Sequence, residues 1–381
     1  MPLKVDYKTI FFSLLGIFFF SCINSTYFYI LKPFLLIKGL NGEQLEHLAQ
    51  TRLLGFIIAA FSLTQLINKL SNKKIIITSS FIVIINIINL IIFNNYTIIE
   101  ISLVVMNGAA FAYFTAVIMH IIESANDKKY LFLSLIIFFW AGGHIAVSFL
   151  KPLLKPNPYT MVICALLYCI NILTELLHTN KTPHNLESNS KFSLLIKNIE
   201  LQLLTGFIVA YVAFDTLWYY EAFALKQELA LISSNIIFAY IFKAIFFSII
   251  PMSYILNKAN KYFANLLLIL ILLGCFILLP LYGMNQSWNI LLIILVGICL
   301  CSIFICNLLI LLDKFKAYDL RTAIFSYFSM YAVGVYAGAL SSSTPYGLVE
   351  GNDFLFSIFA VVGTFVVYYF CYFIKHRLYK H

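Results

Sequence analysis

Asp215 stands near the middle of a long apolar run, and helical spacing puts Trp218, Tyr219 and Ala222 on its face, with Tyr211 one turn earlier. An ionisable side chain at the centre of a bilayer costs about 2.5–3.5 kcal/mol on insertion scales, so each one asks for a reason. Burial raises a carboxylate's pKa and a neighbouring cation lowers it, which equips Asp215 for controlled proton uptake or for holding a substrate cation. The next apolar run carries Lys243 at about the same depth. A fixed Asp215–Lys243 ion pair that only holds two helices together is the competing reading. Alternatively, Lys243 is a fixed cation facing an anionic substrate, kept charged and oriented by Asp215. His144, in the middle of a third run, titrates in the range of a proton relay. Its neighbours Gly142 and Gly143 also suit a packing histidine at a close helix contact. Glu221 lies about 240° around the helix from Asp215 and suits a gate or a bond to Lys32 or Lys226 better than coupling.

The elements that position these groups follow from composition. With 62% hydrophobic and 11% charged residues among 381, and a mean hydropathy of +0.94, the chain has too little polar surface for a water-soluble fold. Crossing a bilayer takes about 20 apolar residues. Twelve runs qualify, at 10–36, 52–70, 75–93, 98–122, 131–150, 159–178, 201–225, 231–256, 262–281, 288–312, 322–343 and 354–374. The first lacks a small-residue cleavage site and is read as a retained helix. The longest connector, 179–200, holds Lys181, Pro183, His184, Glu187 and Lys191 and reads as a polar linker between bundles 1–178 and 201–381. All eight cysteines fall inside predicted spans, against a disulfide framework or a loop metal site.

The net charge of +9 reports topology rather than nucleic acid. With the N-terminus in the cytosol, eighteen of the 25 basic residues fall on the inner side, and the positive-inside rule puts both termini there. The expected setting is a bacterial inner membrane. Arginine is scarce, so motif arginines are expected to appear as lysines.

Segments repeat at an offset of about 190. Asn68-Lys69-Leu70-Ser71-Asn72-Lys73 corresponds to Asn257-Lys258-Ala259-Asn260-Lys261, Ser25-Thr26-Tyr27-Phe28-Tyr29 to Asp215-Thr216-Leu217-Trp218-Tyr219, and Glu123 to Asp313. Duplicated helical halves are a common transporter plan. Six plus six spans, with a basic connector between spans 2 and 3 repeated between spans 8 and 9, resemble the major facilitator superfamily over the whole chain. That family's connector signature, Gly-x-Leu-Ala-Asp-Arg-x-Gly-Arg-Lys, aligns with Thr64 to Lys73. Leu66 and Lys73 match, Lys69 replaces Arg, and Asn68 replaces Asp. The second copy, Pro251 to Lys258, is degenerate in the same way, with Asn257 at the acidic position. Ile122-Glu123-Ser124, Gly334 and Gly338 look similar to the YcaD-like branch.

The resemblance implies an all-α polytopic membrane protein, two six-helix bundles rocking around a central cavity lined by spans 1, 4, 7 and 10. It places span 5 against span 8, so that His144 approaches Lys243. Asn24, Tyr113, Tyr331, Trp218 and Tyr219 are candidate cavity residues, although at 17% aromatic content many such rings simply pack or sit at the interface. It also implies a cytosolic gate: Asn68, Lys69 and Lys73 toward Glu123 and Glu175, and Asn257, Lys258 and Lys261 toward Asp313. With Asn at both acidic motif positions, the latch is expected to be soft. Solvated lysines at the headgroups are the plain alternative.

There is no phosphate-cradling Gly-x-x-x-x-Gly-Lys loop, no His-Glu-x-x-His and no nucleophile elbow, so neither a nucleotide motor nor a hydrolase is expected. The sequence reads as a monomeric secondary transporter without a cofactor, moving a small solute by alternating access and coupled to protons. An uncoupled facilitator and a non-transporting sensor or scaffold are the alternatives.

Overall fold

The computed structural model describes residues 7–66, 70–125, 129–150, 153–176, 198–213, 234–281, 286–315, 317–342, 362–363, 365–369 and 372. Asp215, Trp218, Tyr219, Glu221, Lys226, Asn68 and Lys69 lie outside them.

Among the described residues the chain is helical. In order run α1 (Tyr7–Ile37), α2 (Gly42–Thr51), α3 (Leu54–Leu66), α4 (Asn72–Ile92), α5 (Tyr96–Ala125), α6 (Lys129–Leu150) and α7 (Pro158–Leu176). There follow α8 (Asn198–Ala213), α9 (Ser234–Lys258), α10 (Lys261–Leu281), α11 (Gln286–Lys314) and α12 (Ala317–Ser342). Isoleucine and phenylalanine are only moderate helix formers in water. In lipid, however, every backbone N–H and C=O needs an internal partner, and the helix supplies one within the segment. Six of the described helices are long and apolar enough to cross a bilayer. Their outward faces carry large apolar side chains, among them Phe81, Ile85 and Ile88 of α4 and Phe247 of α9, which suits lipid and not water.

Eleven of the twelve expected runs coincide with a described helix, two of them shortened to α3 and α8; the twelfth is described only in fragments. The short α2 lies outside every expected run. Gly39, at φ +89°, turns the chain out of α1. Asn41 then caps α2 reciprocally with Gln44, at 2.9 and 3.0 Å.

The repeat seen in sequence reappears as packing. A methyl group on Gly16 would come within 2.7 Å of Tyr113, and one on Gly206 within 2.7 Å of Tyr327. Gly108 sits equally tightly on Gly55, and Gly297 on Ile241. Gly143 faces Phe18 and Ser21, while Gly334 faces Phe207 and Ala210. The paired glycines are 190, 189 and 191 positions apart; in the second and third pairs the partner helices correspond as well, whereas Gly16 meets α5 and Gly206 meets α12.

Two seams join the first half of the chain to the second. Along one, α3 lies on α12: Leu53 packs with Ala210 and Val335, and Ser329 Oγ donates to the Ala60 carbonyl at 3.3 Å. Along the other, α6 lies on α9 through stacked rings, Phe138 on Phe246 at 3.9 Å and His144 on Phe242 at 4.0 Å. The starts of α1, α4, α6, α8, α10 and α12 gather at one end of the bundle, called here the basic end.

Candidate functional site

At the basic end, Ser71 caps α4 by accepting a hydrogen bond from the Lys74 N–H at 3.3 Å. The cap fixes Asn72 at the first helical position, with its side chain turned inward and only 3% exposed. Asn72 Nδ2 donates to Glu123 Oε2 at 2.8 Å. On its other side Asn72 Oδ1 accepts from Arg321 Nη2, also at 2.8 Å. The same guanidinium donates to the Leu70 carbonyl at 3.0 Å, and its Nε lies 4.0 Å from Glu123 Oε1. An amide carries a donor and an acceptor on separate atoms, so it can donate to a carboxylate and accept from a guanidinium at once. Asn72 therefore bridges two ions whose own contact is long. Because Arg321 comes from α12, this cluster ties the two halves together.

One turn before Glu123 on α5 is His120. Its Nδ1 lies 3.7 Å from Glu175 Oε1 of α7, and both residues are 5% exposed. Glu123 lies within electrostatic reach of both Arg321 and His120, and Glu175 is within reach of Tyr113. A band of ionisable groups thus runs from inside the first half to the latch.

The second half repeats half of this design. Lys261, at the first position of α10, pairs with Asp313 of α11 at 2.8 Å. Asn72 and Lys261 are 189 positions apart, Glu123 and Asp313 190. The copy stays within the second half and is more open: Asp313 is 63% exposed. A surface cleft of about 290 Å³ lies beside it, lined by Asn260, Lys261, Tyr262, Asp313 and Lys314.

The structure sorts the expected residues. Glu123 meets Asn72 and Arg321 at the basic end, and Glu175 meets His120. Lys73 follows Asn72 on the first turn of α4. Lys258 places its ammonium over the Tyr254 ring at 4.3 Å, and Asn257 is half-buried beside it. His144 does meet α9, yet it stacks on Phe242, with Trp140 edge-on at 4.8 Å, and not on Lys243. The Lys243 ammonium lies 5.4 Å from the Phe149 ring. Tyr113 is 1% exposed, stacked on Phe20 at 5.3 Å inside the first half. Asn24 is half-buried on α1, and Tyr331 packs edge-on to Phe304 beside the α3–α12 seam.

Arg321, Asn72 and His120 are the residues that sequence reasoning passed over as functional. Arg321 counted only as a topology charge. Its signal was scarcity, since a chain with Lys almost everywhere keeps one of three arginines at the start of a span.

The description Major Facilitator Superfamily matches residues 13–339. An uncharacterised protein of Rickettsia prowazekii (strain Madrid E) is 63% identical over 380 residues, covering 100% of both chains. Among solved structures, a bacterial homologue of the iron transporter ferroportin in its outward-facing state superposes with a TM-score of 0.77 at 12% identity, covering 96% of this chain and 98% of that one. A variant of the E. coli fucose:proton symporter gives 0.71 at 13%, covering 96% and 99%. A variant of a nucleoside transporter gives 0.68 at 12%, covering 95% and 99%. Apolar helices, the repeated crossings and the match across most of its length agree: the chain is an integral, multi-pass membrane protein that belongs to the Major Facilitator Superfamily, a family of transporters and not of enzymes.

Proposed function

We propose that this protein is a proton-coupled secondary transporter of a small solute, with halves 1–178 and 201–381 rocking about a midplane site as a monomer. The basic end faces the cytosol of a bacterium and the protein sits in its inner membrane. The observation that carries the reading is the Arg321–Asn72–Glu123 cluster: a polar, breakable contact between the halves at their helix ends is what alternating closure of one side requires. Solved proteins of this fold include a fucose:proton symporter and a nucleoside transporter, which supports a polar organic solute. Solute contact is assigned to the spans bearing Asp215, Trp218, Tyr219 and Lys243.

The test is made in liposomes holding the purified protein and a pH-sensitive dye, presented with pools of sugars, nucleosides and amino acids. Solute-dependent proton movement, reduced in Arg321→Gln, is the expected result. Solute entry without proton movement makes the protein an uncoupled facilitator, and no movement from any pool favours a sensor or scaffold.

A further inference from the structure

We propose that the buried His120–Glu175 pair, acting with Glu123, is the proton-binding site of this chain, and that a proton taken up there releases the Arg321 latch. The inference deepens the proton-coupled reading above and rests on it.

The burial of Glu175 is the starting point: its carboxylate, 5% exposed, lies in the interior of the first half, whereas Glu123 stands at the exposed rim, held by Asn72 and Arg321. A buried carboxylate needs a cation or a proton. Glu175 has the imidazole of His120 at 3.7 Å, beyond hydrogen-bond length, and its Oε2 has no hydrogen-bond partner among the described residues. A proton on this pair supplies that compensation and can shorten the contact to a charge-assisted hydrogen bond.

The surroundings leave few competitors for that proton. On α5 itself are Tyr113 and Glu123, and on α7 are Tyr168 and the thiol of Cys164. The first turn of α4 adds Asn72 and Lys73, α12 adds Arg321, and α1 adds the Cys22 thiol and, on its exposed first turn, Lys8. Tyr130 comes from the start of α6, α3 carries no ionisable side chain, and His47 of α2 lies at the opposite end with Glu100. Of these side-chain types, imidazole and carboxylate are the ones that exchange protons between about pH 4 and pH 7.

Arg321 makes the site a switch because it belongs to the other half. Closing the basic end brings a cation onto the cluster and opposes proton uptake; opening takes that cation away and favours a proton on the His120–Glu175 pair. Coupling is reciprocal, so a proton bound while the end is closed must weaken the hold of Arg321 by the same factor.

The experiment reads the latch and not transport. Spin labels at Lys74→Cys and Asp319→Cys, on the first turns of α4 and α12, report their separation in the full chain in nanodiscs, with the chain lacking both substitutions as background. Lowering the pH from about 8 to about 5 should raise the long-distance fraction severalfold in one transition. His120→Gln and Glu175→Gln should abolish that transition, and Arg321→Gln should hold the long distance at every pH. If His120→Gln does not fold, infrared difference spectra of the wild-type chain carry the test: imidazole and carboxyl protonation bands must follow the distance change. A wild-type separation that ignores pH, a transition that survives His120→Gln, or protonation bands that do not track the distance overturns the proposal. Proton-coupled solute movement without a latch response sinks this site alone, whereas a latch response without solute movement sinks the transport reading and leaves the site standing.

Discussion

Asn72 and Arg321 are 249 positions apart in sequence and 2.8 Å apart in space, amide oxygen to guanidinium nitrogen. A hydrogen bond to a charged group contributes about 1.5–3 kcal/mol. Arg321→Gln and Asn72→Leu should each destabilise the folded chain by roughly that amount, and the double change by at least about 1 kcal/mol less than their sum. Asn72→Asp should also destabilise, since aspartate can accept from Arg321 but sets a second carboxylate against Glu123. Denaturant unfolding in detergent, read as a double-mutant cycle, checks this; strict additivity would mean that the two side chains do not work together.

The corresponding pair in the second half should behave differently. Lys261 and Asp313 are 2.8 Å apart, yet the Asp313 side chain is 63% exposed. Pairs of that kind contribute about 0–1 kcal/mol and weaken with salt. Asp313→Asn should therefore cost under about 1 kcal/mol, and less at high ionic strength. A loss as large as that of Arg321→Gln would contradict the assignment of one pair as an inter-half latch and the other as a surface contact.

Helix approach at the repeated crossings predicts paired sensitivity. A methyl group on Gly143 would lie 2.6 Å from the Phe18 carbonyl oxygen, and one on Gly334 would lie 3.0 Å from Ala210 Cβ while also striking the Phe207 carbonyl. Gly143→Ala and Gly334→Ala should each cost about 1–3 kcal/mol through overpacking. Gly274, inside α10 with no atom of the described residues within 4 Å of where a methyl group would stand, is the control. There alanine should be neutral or stabilise by up to about 1 kcal/mol, from helix propensity. Unfolding midpoints of the three variants decide the matter.

Lys38, in the turn beyond α1, donates to the Ile91 and Phe93 carbonyls at 2.9 and 2.7 Å and so closes the end of α4. Lys38→Met keeps the aliphatic stem and should lose about 1 kcal/mol at neutral pH. Partial burial holds the Lys38 pKa below the ordinary lysine value. A folded-state pKa below the unfolded one gives a contribution that is complete above the ordinary lysine pKa and is lost as pH falls through the lowered one. The margin of wild type over Lys38→Met should thus grow as pH rises through the alkaline range; a margin that shrinks there would argue against burial as the cause.

The sequence announced what depends on local chemistry. Apolar runs located the helices, and the spacing of Glu123 and Asp313 announced equivalent positions that the structure fills with equivalent contacts. The short α2 escaped because it is polar, although Asn41 and Gln44 at capping-box spacing mark its start. The latch itself was half legible. Glu123 and Glu175 stood out as acids at span ends, but their partners depend on how two halves dock, and no periodicity reports a contact across 249 positions. Lysine was expected to stand in for the motif arginines; at the site, Asn72 occupies the position of one of them and Arg321 brings a guanidinium from the other half. Asp215, Trp218, Tyr219, Asn68 and Lys69 lie outside the described residues.

The stacked rings of the α6–α9 seam have a mechanical consequence. Phe138 lies on Phe246, and His144 lies on Phe242 with only 4° between their planes. Dispersion between flat faces changes little when one ring slides over the other, whereas a hydrogen bond fails once its angle is lost. Under the proposed rocking of the halves, this seam would serve as the bearing, since stacked rings tolerate a small slide that would break a hydrogen bond.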